Sequence, residues 1–199
     1  MFLLFIKSSH TSFSMRSLTI SFLLLFTSLS AFAVSLPPVI GDHMVLQRGL
    51  PVPVWGGGEV GEKITVSFAG QSKSATVGKD GKWMVTLNKL EANAKPSTLS
   101  VKGKNEISLK NILVGEVWIC SGQSNMEWKV AQCANSKEEI TAANYPNIRL
   151  FDVPGHTVHP LPQDQGKGEW KVCSPSTISN FSAAGYYFGR RLHLSLIHI

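Results

Sequence analysis

Ile112-Leu113-Val114-Gly115-Glu116-Val117-Trp118-Ile119-Cys120, running directly into Ser121-Gly122-Gln123-Ser124-Asn125-Met126-Glu127, is the stretch on which the fold turns. Its first nine residues carry one charge and no polar alternation, the pattern of a strand buried on both faces and typical of a parallel sheet covered by helices. A short helix is signalled next. Ser136-Lys137-Glu138-Glu139 has the form of a capping box, and Asn144-Tyr145-Pro146 ends the helix. Ile148 to Val153 reads as the following strand, so strand, helix and strand at this spacing predict a parallel βαβ unit and an α/β domain. A last helix starts near Ser182, with Phe181 and Tyr186 placed as a hydrophobic staple and an apolar stripe of Ala184, Tyr187, Phe188 and Leu192. It runs toward the chain end without a closing Gly or Pro, and the α/β domain, residues 112–199, is expected to be incomplete.

Upstream the period changes to two. Val52-Pro53-Val54-Trp55, Lys63 to Phe68, Ser74 to Val77, Trp83 to Leu87 and Thr98 to Val101 are short runs separated by turn residues, among them Ala69-Gly70 and the hairpin signal Asp80-Gly81. Short strands at this spacing, with no helical period, predict an antiparallel β-sandwich over residues 34–111. Trp55 and Trp83 suit core packing, or a face that lines a sugar site.

Residues 1–33 read as an export signal. Lys7 and Arg16 precede the apolar run Ile20 to Phe26, and Ala31-Phe32-Ala33 fits an A-x-A cleavage pattern that would leave Val34 first. Met15 would start a signal of more usual length. Export implies a secretory, periplasmic or extracellular location, where Cys120, Cys133 and Cys173 leave one cysteine over and a Cys133–Cys173 bridge is one pairing open to them. Asn180-Phe181-Ser182 fits the N-glycosylation pattern. The chain of 199 residues is 43% apolar and 16% charged, with 17 Gly and 10 Pro, which excludes long disorder, collagen-like repeats and coiled coil. Of its 19 Lys and Arg, Lys7 and Arg16 belong to the leader, and against 13 Asp and Glu the rest carries +4. Those charges form no basic stripe interleaved with aromatics, so no nucleic-acid partner is expected. Nothing after residue 33 has the roughly 18 apolar residues of a membrane span, and no membrane insertion is expected once the signal is cleaved.

Gly122-Gln123-Ser124 stands where the apolar strand turns outward. A serine lifted clear of a sheet in such a turn suits a nucleophile, because its own backbone N–H can stabilise the oxyanion formed on attack. Gly122 would let substrate or neighbouring backbone come close. The same residues allow another reading: Ser124-Asn125-Met126-Glu127 is also a capping box, with Ser124 merely capping a helix. The G-x-S-x-G elbow is not met, since Met126 occupies the second glycine's place.

The block Trp118 to Trp128, containing Gly122-Gln123-Ser124-Asn125-Met126, resembles the first block of the sialate O-acetylesterase family within the SGNH hydrolases. Asp42-His43-Met44-Val45-Leu46-Gln47-Arg48 and Pro51 to Gly56 resemble that family's N-terminal β-sandwich, and Asn147 to Phe151 and Phe181 to Gly189 are similar to later stretches. The resemblance covers residues 36 to 193 and implies an N-terminal fragment: a sandwich, then the start of a three-layer SGNH-type α/β hydrolase domain. It implies Ser124 as nucleophile and oxyanion donor, supported by Gly122, Gln123 and Asn125, acting on an O-acetylated sugar, a sialic acid or another glycan such as xylan. No cofactor or metal is implied.

In that family the base is an Asp-x-x-His near the end, and further oxyanion donors, a Gly and an Asn or Gln, lie on later blocks; none has a counterpart here. Asp152 and His156 are four apart and do not match. His156 and His159 lack further metal ligands and read as loop histidines, and His193 and His198 receive no catalytic role. The expectation is therefore an esterase chain lacking its base. A second class remains open, a non-catalytic module whose sandwich holds glycan.

Overall fold

The structure, a computed structural model, describes residues 33–153 and 167–196. The leader apart from Ala33, and His156, His159 and His198, lie outside the described residues.

Seven strands come first: β1 (Val45–Gln47), β2 (Val52–Gly57), β3 (Lys63–Phe68), β4 (Gln71–Thr76), β5 (Lys82–Leu87), β6 (Asn93–Lys102) and β7 (Glu106–Gly115). Five form a mixed sheet in the order β1-β7-β6-β3-β4, and β2 pairs antiparallel with β5 in a second sheet. The alternation seen in sequence sets the inner faces. Ile64, Val66 and Phe68 of β3 meet Trp83, Val85 and Leu87 of β5 in one core, joined by Leu99 and Val101 of β6, while Met84 between them stays 59% exposed. Trp83 is buried and its Nε1 donates to the Gly57 carbonyl (2.9 Å), and Trp55 packs against the same core. Of the two readings of these tryptophans, core packing is the one observed.

Of two turns expected here, one forms a hairpin and the other does not. Ala69-Gly70 makes the tight β3–β4 hairpin, both residues at positive φ (48° and 75°), which is the type I′ signature. Asp80-Gly81 does not make a hairpin. β4 and β5 lie in different sheets, and the Gly78–Gly81 turn, closed by the Gly81 N–H on the Gly78 carbonyl (3.0 Å), carries the chain across between them.

The apolar run from Ile112 divides in two. Ile112 and Val114 enter the sandwich core, whereas Leu113 is buried outside it, so burial on both faces holds for these three residues. The strand then stops at Gly115 instead of Cys120, with Val117 to Ser124 exposed. β7 is antiparallel to β6 and parallel to β1 (Val45 opposite Leu113), so the sheet is mixed where an antiparallel one was expected.

Beyond it lie three helices and two strands: α1 (Ser124–Glu127), α2 (Ser136–Ala142), β8 (Tyr145–Phe151), β9 (Trp170–Cys173) and α3 (Ala183–Leu196), with a 3₁₀ turn at Val130–Gln132. Among the described residues β8 pairs with β9, antiparallel, and not with β7, so the expected parallel βαβ unit is not formed. The cap of α2 is Asn135, in the left-handed region at φ 55°, one residue before the anticipated Ser136. On α3 the staple places Phe181 and Tyr186 in one cluster, but the buried face is Ala183 and Tyr186; Ala184 and Phe188 of the expected stripe are exposed. Val130, Ala143, Leu150, Cys173 and Ile178 complete this second core. Arg190 lies over the rings of Tyr186 and Tyr187 (5.2 and 4.9 Å) and pairs with Glu139, tying α3 to α2. Cys133 and Cys173 are free thiols, and no bridge joins them.

Candidate active site

The chain leaves β7 at Gly115 and reaches Ser124 through eight residues outside regular structure. Trp118 of this segment is 57% exposed and meets Phe188 of α3 edge to face (5.3 Å between centroids, 84°). Ile119 beside it is 92% exposed. Gly185 of α3 faces this segment: a Cβ there would be in ordinary contact, 3.7 Å from Cys120 Cβ and 3.4 Å from the Phe181 ring.

Gln123 is the cap of α1 and Ser124 its first helical residue, with the Met126 N–H on the Gln123 carbonyl (2.8 Å). The capping reading of Ser124 is therefore not the arrangement observed. Ser124 is exposed, and neither its hydroxyl nor its N–H makes a hydrogen bond among the described residues. Gly122 is not at positive φ, and a Cβ there would meet only the Met126 side chain, at an ordinary 3.5 Å or more. The close approach its sequence position suggested is not made by the protein's own backbone. After α1 the chain is fastened to the start of α3: Ala183 N–H donates to Trp128 O (2.7 Å), Val130 N–H to Phe181 O (3.1 Å), and Ser182 Oγ lies 3.3 Å from Met126 Sδ.

A cavity of about 1410 Å³ opens beside this loop. Ser121, Gly122 and Gln123 line it, with Met126, Arg149 and Phe188; Ser124 and Asn125 do not. Glu116, Glu127, Asp152 and His193 are also on its wall, but no imidazole or carboxylate is hydrogen-bonded to Ser124 among the described residues. His193 instead packs edge-on against Tyr145 (6.3 Å). No group of three or more His, Cys, Asp or Glu among the described residues could hold a metal ion, and none of their helices is long and apolar enough to cross a membrane.

Charge near the loop is concentrated at the end of β7. Glu116 takes hydrogen bonds from Gln47 Nε2 (2.9 Å) and Arg48 Nε (2.6 Å), which hold its carboxyl below the usual carboxylate range, the Gln47 bond having the larger effect. On β8, burial lowers the Arg149 pKa; its guanidinium donates to Asn111 Oδ1 (3.1 Å), and its Nε is buried without a partner. Asn111, at φ 59°, also bonds His43 Nδ1 through its Nδ2 (2.7 Å). The roles of Gln47, Arg48 and Glu116 were not read from sequence; their only signal was membership of the Asp42–Arg48 stretch and of the apolar run.

No family model matches the chain. A solved structure, that of a carbohydrate acetylesterase from Xanthomonas citri, superposes with a TM-score of 0.78 and 37% sequence identity, covering 82% of this chain and 38% of that one. The sialate O-acetylesterase of Rattus norvegicus is 31% identical over 126 residues, 57% of this chain and 23% of that protein. The chain is a relative of the sialate O-acetylesterases. The Homo sapiens sialate O-acetylesterase is 28% identical over 176 residues, 79% of this chain. The chain matches about a quarter to a third of the length of these curated relatives, 23% of the rat and 34% of the human protein.

Proposed function

We propose that this chain carries the nucleophile of a carbohydrate O-acetylesterase, with Ser124 as the attacking group. The observation that carries the reading is the exposed Ser124 at the first position of α1, its hydroxyl and N–H without partners among the described residues, next to Gly122 and Gln123 on the wall of a large cavity. The names of the curated relatives and of the Xanthomonas citri structure support the reaction class. The substrate is an O-acetylated sugar, sialic acids first.

In the first step Ser124 Oγ bonds to the acetyl carbonyl carbon, and its N–H faces the oxygen that becomes negative. The tetrahedral intermediate collapses, the C–O bond to the sugar breaks, and the sugar oxygen takes a proton to leave as a hydroxyl. Water then attacks the acetyl-enzyme, releasing acetate and restoring Ser124. Gly122, Gln123 and Asn125 support the loop.

Both steps need a base to take the proton from Ser124 and then from water. No Asp-x-x-His occurs in residues 1–199, and we place the base and the remaining oxyanion donors outside them. Within the same reading residues 1–33 export the protein, residues 34–111 are an accessory sandwich, and residues 112–199 begin a three-layer SGNH domain. The second edge of β8, unpaired among the described residues, would accept the next strand of its sheet.

The test is acetate release from O-acetylated sialic acid by residues 34–199, by a longer esterase containing them, and by Ser124→Ala versions of both. Loss of a catalytic serine costs on the order of a million-fold in a known triad. The longer enzyme should lose nearly all turnover, and residues 34–199 should be no faster than their Ser124→Ala version. Full turnover by the mutated longer enzyme would remove Ser124 as nucleophile. Robust Ser124-dependent turnover by residues 34–199 would place the base within them.

A further inference from the structure

We propose that Gln47, Arg48 and Glu116 form a clamp by which the β-sandwich positions the loop bearing Ser124. This rests on the reading of Ser124 as nucleophile only for its catalytic meaning; the clamp itself stands on geometry.

β1 and β7 run parallel and both end here, Gln47 opposite Gly115. A strand pair that simply stopped would leave the outgoing chain free to swing about Gly115. Instead the pairing continues through side chains. Arg48 N–H donates to the Gly115 carbonyl (2.9 Å), extending the ladder by one bond. The Gln47 amide then divides its two ends. Its Oε1 accepts the Val117 N–H (2.8 Å), while its Nε2 donates to Glu116 Oε2 (2.9 Å) and to the Arg48 carbonyl (3.1 Å). Glu116 Oε1 takes Arg48 Nε. Both oxygens of one carboxylate, both ends of one amide and a backbone N–H are thus satisfied by residues 68 to 70 positions away in sequence.

The location gives this network its meaning. Between Val117 and Ser124 the chain has no strand partner among the described residues and is exposed, and its contact with α3 is the Trp118–Phe188 ring pair. An exposed ion pair alone adds little to stability, and the clamp's worth lies in direction: it fixes the root from which the segment approaches the cavity. A nucleophile must be held to within a fraction of an ångström and about 10–20° of its working geometry, which requires fixed supports behind it. Gln47 and Glu116 are positioning residues, and the same clamp explains how a sandwich with no chemistry of its own contributes to the site.

Cys120, exposed and midway between the clamp and Ser124, supplies the reporter. A nitroxide spin label on Cys120, in residues 34–199 carrying Cys133→Ser, reports loop mobility within the folded state by its line shape. Gln47→Ala and Glu116→Ala should each produce a mobile component, with Glu116→Gln, whose amide offers one acceptor oxygen where the carboxylate offers two, producing a smaller one. Hydrogen exchange over 63–68 should stay unchanged, a reading that simple destabilisation of the sandwich would move. In a longer active enzyme the two alanine variants should lower kcat about 10- to 100-fold at near-constant KM. An unchanged line shape in both variants, or a mobile component accompanied by equal loosening of 63–68, overturns the clamp. The esterase reading fails on a different result, retained turnover in Ser124→Ala.

Discussion

Ser124 owes its free hydroxyl to a shift of one position. A serine at the cap of α1 would spend its oxygen on a backbone N–H, whereas Gln123 takes that place without a side-chain bond and leaves Ser124 unengaged among the described residues. Among the thiols, environment separates residues of identical chemistry. Cys173 is buried, and burial pushes its pKa from 9.0 up to about 11, while Cys120 is exposed. Iodoacetamide at pH 8 should therefore label Cys120 within minutes and spare Cys173 until the protein is unfolded in urea. Comparable labelling of both in the native state would contradict the burial. The sign for stability follows from the raised value: burying a neutral thiol favours the fold below pH 9, and that advantage is lost as pH rises through 11.

Helix α3 depends on its first turn. Ser182 precedes it, and its Oγ accepts the Gly185 N–H (3.3 Å) while its carbonyl accepts the Tyr186 N–H (2.9 Å). Ser182→Ala should cost about 1 kcal/mol, measured as a fall in the urea midpoint with an unchanged slope; no fall would show that the cap contributes nothing. Strand β7 carries the other contrast at this scale. Its ladder ends at Gly115, so amide exchange should be slow from Leu109 to Val114 and fast from Trp118 to Gln123. Slow exchange extending through Cys120 would restore the longer strand that the apolar run suggested.

At the scale of the whole chain, among the described residues the two cores are linked by Arg149 to Asn111 and by Trp170, which packs against the sandwich core and donates its Nε1 to the Val39 carbonyl (2.8 Å). Leu87 is fully buried in one core and Ile178 in the other. Each mutation to alanine should cost about 2–5 kcal/mol. Since the two cores are separate clusters, Ile178→Ala should speed exchange around 143–150 while leaving 63–68 slow, and Leu87→Ala should do the reverse. Equal loosening of both regions by either mutation would mean that the cores unfold as one unit.

Local pattern carried the interior of the sandwich. Alternation in Lys63–Phe68 and Lys82–Leu87 decides which side chains turn inward, because a strand has a period of two whatever its partners are. The Phe181, Ser182 and Tyr186 start of α3 was legible for the same reason, since staple and cap are made within a few residues. The Gly-Gln-Ser-Asn-Met block, through its resemblance, marked Ser124 as the candidate nucleophile, which remains a proposal. Partnership was not legible. The run Ile112-Leu113-Val114 is equally apolar whether its neighbours are β1 and β6 or the strands of a parallel sheet, and only tertiary pairing separates the two. The side-chain clamp at Glu116 lay equally out of reach: a glutamate ending an apolar run means little until Gln47 and Arg48, about 70 positions earlier, are brought against it. What sequence determined here was the conformation and facing of short segments, set by local sterics and side-chain period. The tertiary structure alone decided which segments meet, because the free energy of their meeting resides in contacts between residues far apart along the chain.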